Sequence, residues 1–121
     1  MKRILIIDDE KMLVEVIRIV LEDLGYQVTG FDNPLEGQKA AIEQDFDLIL
    51  VDLRMPDRDG AAVTESIMAQ KPEALVLIIT AYPEDPLVER ALTAGARALL
   101  RKPFEITKIF HFLGATDHGS S

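Results

Sequence analysis

The 121-residue sequence contains no cysteine, so neither a disulfide framework nor a thiolate metal site can form. That absence fits a reducing compartment, and a cytoplasmic location is expected. No apolar run approaches the roughly 20 residues that a membrane-spanning helix requires. Met1-Lys2-Arg3 leads into only four apolar residues before Asp8 and Asp9, too short a run for a secretory signal. Basic residues are also in the minority, with 13 Lys and Arg against 21 Asp and Glu and a formal net charge of -8. Nucleic-acid backbones are held by clustered Lys and Arg, so direct nucleic-acid binding by this chain is not expected. The sequence shows no internal repeat and no low-complexity stretch.

What is present is a regular alternation. Ile4–Ile7, Leu48–Val51 and Leu75–Ile79 are short continuous apolar runs, the pattern of strands buried on both faces. Gln27–Phe31 and Ala98–Leu100 read as two further strands. Between them, apolar residues recur at steps of three and four. Leu13, Val16, Ile17, Val20, Leu21 and Leu24 stripe a first helix that ends near Gly25. Asn33-Pro34 caps a second helix running to about Glu43, and Asp59-Gly60 precedes a third over Ala61–Gln70. Asp85-Pro86 opens a fourth that Gly95 ends, and Ile106, Ile109, Phe110 and Leu113 stripe a fifth. Strict alternation implies one α/β domain, a doubly wound five-stranded parallel sheet with five helices. The common strand order, 2-1-3-4-5, sets the first and third strands side by side at the topological switch. One domain is expected over residues 1–113. Residues 114–121 lose apolar periodicity and read as a flexible tail or the start of a linker.

Four polar stretches each follow one of these runs directly: Asp8-Asp9, Asp52, Thr80-Ala81 and Lys102-Pro103. In a parallel sheet they meet at one edge. Clustered carboxylates repel by roughly 4 kcal/mol per pair at about 4 Å and an effective dielectric near 20, so a cation must offset them. A hard ion such as Mg²⁺, or Mn²⁺, takes oxygen ligands of this kind, and Lys102 supplies a second positive charge. Asp52 can then stay ionised before an incoming phosphoryl group and attack it, while the Thr80 hydroxyl donates to the phosphoryl oxygens.

In these motifs the chain resembles the receiver domains of bacterial two-component response regulators, which are flavodoxin-like folds, over about residues 2–113. The residues that carry the resemblance are Asp8-Asp9-Glu10, the stretch Asp52-Leu53-Arg54-Met55-Pro56 with Asp59-Gly60 following, Thr80-Ala81, and Lys102-Pro103-Phe104. The resemblance implies that Asp52 accepts a phosphoryl group from the phosphohistidine of a sensor kinase or phosphotransfer protein. It implies that Asp9, Asp52 and the Arg54 backbone carbonyl bind Mg²⁺, with Asp8 acting through water. Lys102 would pair with the phosphorylated carboxylate, and its bond to Pro103 would be cis. Thr80 and the Ala81 backbone N–H would bind phosphoryl oxygens, and Thr80 would swing inward as the switch. Such a domain is a regulatory phosphoacceptor rather than a turnover enzyme. Its output passes through the fourth helix, fifth strand and fifth helix to an output domain, commonly a transcriptional one, or to a partner protein.

Three positions individualise the chain. Leu99 stands where the family usually carries Tyr or Phe, so the switch is expected to run through Thr80 and backbone shifts, with altered coupling. Arg54 and Tyr82 occupy positions that modulate phosphate loss, and a long cation and a large ring there are expected to hinder attacking water. Arg97–Arg101 lacks the acidic and aromatic residues typical of members that form phosphorylation-dependent homodimers through the output face. His111 and His118 are assigned no relay role. Two other readings compete. A Mg²⁺-dependent aspartyl-phosphate phosphatase usually wants a second acid two residues after the nucleophile, where this chain has Arg54. A binding module that has lost phosphorylation would not need every chemical position filled, as they are here.

Overall fold

The runs Ile4–Ile7, Leu48–Val51 and Val76–Ile79 are apolar at every residue because their strands are covered on both faces. In the computed structural model, which describes residues 2–102 and 105–116, all of these residues are buried. The elements follow in the order β1 (Arg3–Ile7), α1 (Lys11–Asp23), β2 (Gln27–Phe31), α2 (Pro34–Glu43), β3 (Leu48–Asp52), α3 (Gly60–Gln70), β4 (Val76–Thr80), α4 (Leu87–Ala94) and β5 (Ala98–Arg101). A short 3₁₀ turn, Ile106–Lys108, then leads into α5 (Ile109–Thr116). All pairings are parallel, and the sheet order is β2-β1-β3-β4-β5, as expected. The helix α5 continues to Thr116, past the point at residue 113 where apolar periodicity ends. No helix of the described residues is long and apolar enough to cross a membrane.

Successive side chains of a strand point to opposite faces, so each short run feeds two cores. Leu5, Ile7, Ile49, Val51 and Ile78 pack with Val63, Ile67 and Ala91 of α3 and α4. Ile4, Ile6, Leu50, Leu77 and Ile79 pack with Ile17 and Leu21 of α1 and Ile109 and Leu113 of α5. Burying one such side chain contributes about 1.5–3 kcal/mol, so these two layers dominate the stability of the sheet. The stripe expected along α1 is only partly buried. Ile17 and Leu21 face the sheet, whereas Val16, Val20 and Leu24 stay about half exposed. The periodicity reported an apolar stripe wider than the strip that the sheet covers.

Local signals set the helix starts. The Asn33 side chain accepts from the N–H groups of Leu35 and Glu36 ahead of Pro34 in the first turn of α2. The Asp59 carboxylate accepts from Ala62 N–H at 2.8 Å and caps α3. Between Asp52 and α3 the chain turns sharply, with Asp57 at φ 72°, a conformation that Asp tolerates better than most residues. Gly60 then donates its N–H to the Leu53 carbonyl at 2.8 Å. A Cβ at Gly60 would lie 2.2 Å from the Asp52 carbonyl oxygen, so only glycine lets α3 start this close to β3.

The register fixes where the sheet's carboxyl edge falls. Ile7 pairs with Val51, and one further step sets Asp8 beside Asp52. Thr80 pairs with Arg101, so Lys102 follows directly at the same edge. Substituting Gly60→Ala is predicted to force the α3 start away from Asp52 at a cost of about 1–3 kcal/mol. Urea unfolding of the variant checks this, and an unchanged midpoint would contradict the close approach.

Candidate functional site

All five parallel strands end at one edge, and the polar residues at the ends of β1, β3 and β4 are buried there. Asp8 is fully buried, Thr80 is 2% exposed and Asp52 is 6% exposed. The Lys102 ammonium stands among three carboxylates. Its Nζ lies 2.8 Å from Asp8 Oδ2, 2.7 Å from Glu10 Oε1 and 3.2 Å from Asp52 Oδ1. Asp8, Glu10 and Asp52 each offer an oxygen within 4.8 Å of the others'. Asp8 Oδ1 accepts from the Glu10 N–H at 2.9 Å, which orients the carboxylate. Asp8 Oδ2 touches the ammonium without the alignment of a hydrogen bond, and it is the only buried side-chain oxygen or nitrogen without a hydrogen-bond partner among the described residues.

The electrostatics follow from burial and from too few cations. Burial, followed by the charge of Asp8, pushes the Asp52 carboxyl up to about 7, against the opposing pull of Lys102. Burial also raises Asp8, although the Lys102 ammonium and the Glu10 backbone N–H pull it down. For Lys102 burial opposes charge, but its carboxylate neighbours outweigh burial and hold the ammonium above the usual lysine range. One buried cation is therefore shared among more acid than it neutralises. An oxygen-lined site whose one ammonium is shared among three carboxylates fits a hard divalent cation.

Asp8, Asp52, Thr80 and Lys102 converge. Asp9 is exposed, and the third carboxylate that converges with Asp8 and Asp52 is that of Glu10. Glu10 went unassigned because, as the third acid in a row at a helix start, it looks like solvated surface. Ala81 is exposed beside Thr80. The Thr80 Oγ1 accepts from the Tyr82 N–H at 3.0 Å, which leaves its own hydroxyl proton to donate elsewhere. The Tyr82 side chain is exposed, and Leu99 is partly buried against the core layer of α3 and α4. Arg54 is not aimed freely at the site but forms a bidentate ion pair with Asp85. Pro103 and Phe104, and with them the expected cis bond, lie outside the described residues, as does His118. His111 is exposed on α5 and meets the Phe112 ring edge-on.

Because Asp52 titrates higher in the folded chain than in the unfolded one, its ionisation destabilises the metal-free fold. That penalty is absent below about pH 4, grows as pH rises, and is complete above about 7. Asp52→Asn is therefore predicted to stabilise the metal-free domain at pH 8 by on the order of 2 kcal/mol, with the gain fading as pH falls toward 4. Thermal unfolding in chelator across this range tests it, and a destabilised variant at pH 8 would contradict it.

Comparison with known proteins places this edge in context. Residues 4–113 match the sequence model of the response regulator receiver domain. The transcriptional regulatory protein PdtaR of Mycobacterium tuberculosis is 36% identical over 111 residues, which cover 89% of this chain and 53% of PdtaR. The chain thus spans about half the length of that curated relative. A CheY-like receiver domain protein from Methanospirillum hungatei superposes with a TM-score of 0.88 at 28% identity, covering 96% of this chain and 93% of that one. The receiver domain of the sensor histidine kinase PA1611 from Pseudomonas aeruginosa, solved with magnesium in its active-site cleft, gives a TM-score of 0.84 at 31% identity, covering 94% and 95%. Fold, sequence model and relatives agree, and the chain belongs to the response regulator receiver domain family.

Proposed function

We propose that this domain accepts a phosphoryl group on Asp52 from the phosphohistidine of a sensor kinase or phosphotransfer protein, and that it passes the change to an output. The observation that carries this reading is the placing of Lys102 Nζ 3.2 Å from Asp52 among the carboxylates of Asp8 and Glu10. Asp8, Asp52 and a third acid, Asp9 or Glu10, would hold Mg²⁺ or Mn²⁺ together with the Arg54 backbone carbonyl. When bound, the ion offsets negative charge on the carboxylates and on the phosphoryl oxygens.

An Asp52 carboxylate oxygen attacks phosphorus as the P–N bond of the donor breaks, and the electron pair of that bond leaves with the imidazole nitrogen. Lys102 is already in contact with Asp52 and follows the charge that the acyl phosphate adds. Thr80 keeps its hydroxyl proton for a phosphoryl oxygen because its own oxygen accepts from Tyr82 N–H. Turning Thr80 inward disturbs the loop between β4 and α4, and the disturbance travels to the face built from α4, β5 and α5. With Leu99 in place of an aromatic ring, transmission rests on Thr80 and on the backbone of that loop.

The name of the mycobacterial relative supports a transcriptional output, and the match to only 53% of its length supports delivery of that output by a further domain. The domain acts in the cytoplasm, where sensor kinases present their phosphohistidine. A phosphatase reading is disfavoured because the position two residues after Asp52 holds Arg54, which is bound to Asp85 and cannot serve as an acid for a leaving group.

Incubation with acetyl phosphate and Mg²⁺ is predicted to add the mass of one phosphoryl group to the intact domain. Chelation of the metal abolishes the gain, Asp52→Asn abolishes it, and Lys102→Ala slows it on the order of tenfold. Uptake that persists in Asp52→Asn would overturn the assignment.

A further inference from the structure

Two loops that flank the site are tied together by charge. Arg54 lies two residues beyond Asp52, between β3 and α3, and Asp85 lies between β4 and α4. Arg54 Nε stands 2.7 Å from Asp85 Oδ2, and Nη2 stands 2.8 Å from Oδ1. This is the fork-to-fork geometry in which a guanidinium binds a carboxylate or a phosphate.

The two partners differ in freedom. The Asp85 side chain is 9% exposed, and its Oδ1 also accepts from the Leu87 N–H at 2.9 Å. Its backbone carbonyl accepts from Val88 N–H and its own N–H donates to the Tyr82 carbonyl, each at 3.0 Å. Asp85 is thus built into the start of α4. Arg54 is 60% exposed, so the guanidinium is the partner that can leave.

A phosphoryl group on Asp52 would bring close to two negative charges and three acceptor oxygens to within two residues of Arg54. Lys102 is already shared among Asp8, Glu10 and Asp52. Other arginines near α3 are engaged: Arg58 bonds Gln38 and Ser66, and Arg90 bonds Glu65. Arg54 is held at the rim by a carboxylate that carries less charge than a phosphoryl group.

We propose that Asp85 is a positioning residue that competes with phosphorylated Asp52 for the Arg54 guanidinium. Transfer of Arg54 from Asp85 to the phosphoryl oxygens shields the acyl phosphate from water and frees the start of α4 in the same movement. The ion pair thereby sets the lifetime of the phosphorylated state and gives the site a route to α4 that needs no aromatic residue at position 99. The proposal rests on phosphorylation of Asp52.

Asp85→Asn removes the charge but keeps an oxygen for Leu87 N–H, so it separates the ion pair from the helix cap. The wild type, Asp85→Asn, Arg54→Ala and the double variant are loaded with acetyl phosphate and Mg²⁺. The donor is then removed, and decay is followed by intact mass. Asp85→Asn is expected to lengthen the half-life about threefold, Arg54→Ala to shorten it, and Asp85→Asn to have no effect in the Arg54→Ala background. An unchanged half-life in Asp85→Asn, or the same lengthening with Arg54 absent, overturns the proposal. Should Asp85→Asn fail to fold, an unchanged half-life in Arg54→Ala overturns it alone. Failure of the wild type to take up phosphoryl would instead defeat the phosphoacceptor reading, and this proposal with it.

Discussion

One buried ammonium, that of Lys102, makes the carboxyl edge of this sheet possible. Asp8 and Asp52 are brought together at a buried edge, where each would repel the other by several kcal/mol without a cation between them. Lys102 contacts both, and Glu10 closes the group from the solvent side. The compensation is incomplete, because a single cation serves three carboxylates. Burial, and after it the charge of Asp8, pushes Asp52 up to about 7 against the pull of Lys102. The site therefore carries more carboxylate charge than its own ammonium offsets, and a divalent ion supplies the balance in the proposed function.

The fold serves this edge through backbone geometry more than through the polar residues themselves. Parallel register brings the ends of β1, β3, β4 and β5 to one level, and the two core layers hold that level rigidly. Gly60 lets α3 begin against the Asp52 carbonyl, and its N–H closes on the Leu53 carbonyl, so the start of α3 is held next to the end of β3. The outward route is looser. Tyr82 and Arg54 are exposed, Leu99 is a partly buried aliphatic, and the Arg54–Asp85 ion pair joins the two loops that flank the site.

What could be read from the sequence was what is local. Ile4–Ile7 and Leu48–Val51 announce strands buried on both faces, Asn33-Pro34 and Asp59-Gly60 announce helix starts, and a polar residue after each run announces a shared edge. Strand order came from a general property of doubly wound sheets, and it held. The features that escaped depend on neighbours distant in the chain. Nothing near Asp85 singles it out among 21 acids as the partner of Arg54, 31 residues away. Glu10 looked like surface until Lys102, 92 residues on, reached it. How much of the α1 stripe is buried was not legible either, because periodicity reports an apolar face and not the width of the sheet that covers it.

The central claim is that Asp52, and no other acid of the cluster, receives the phosphoryl group. Borohydride reduction of the phosphorylated domain, followed by peptide mass mapping, tests it most directly, since reduction converts an aspartyl phosphate into homoserine. The account predicts homoserine at position 52 alone. Homoserine at position 8 or 9 with position 52 unchanged, or a phosphorylated domain with no reducible acyl phosphate, would contradict it.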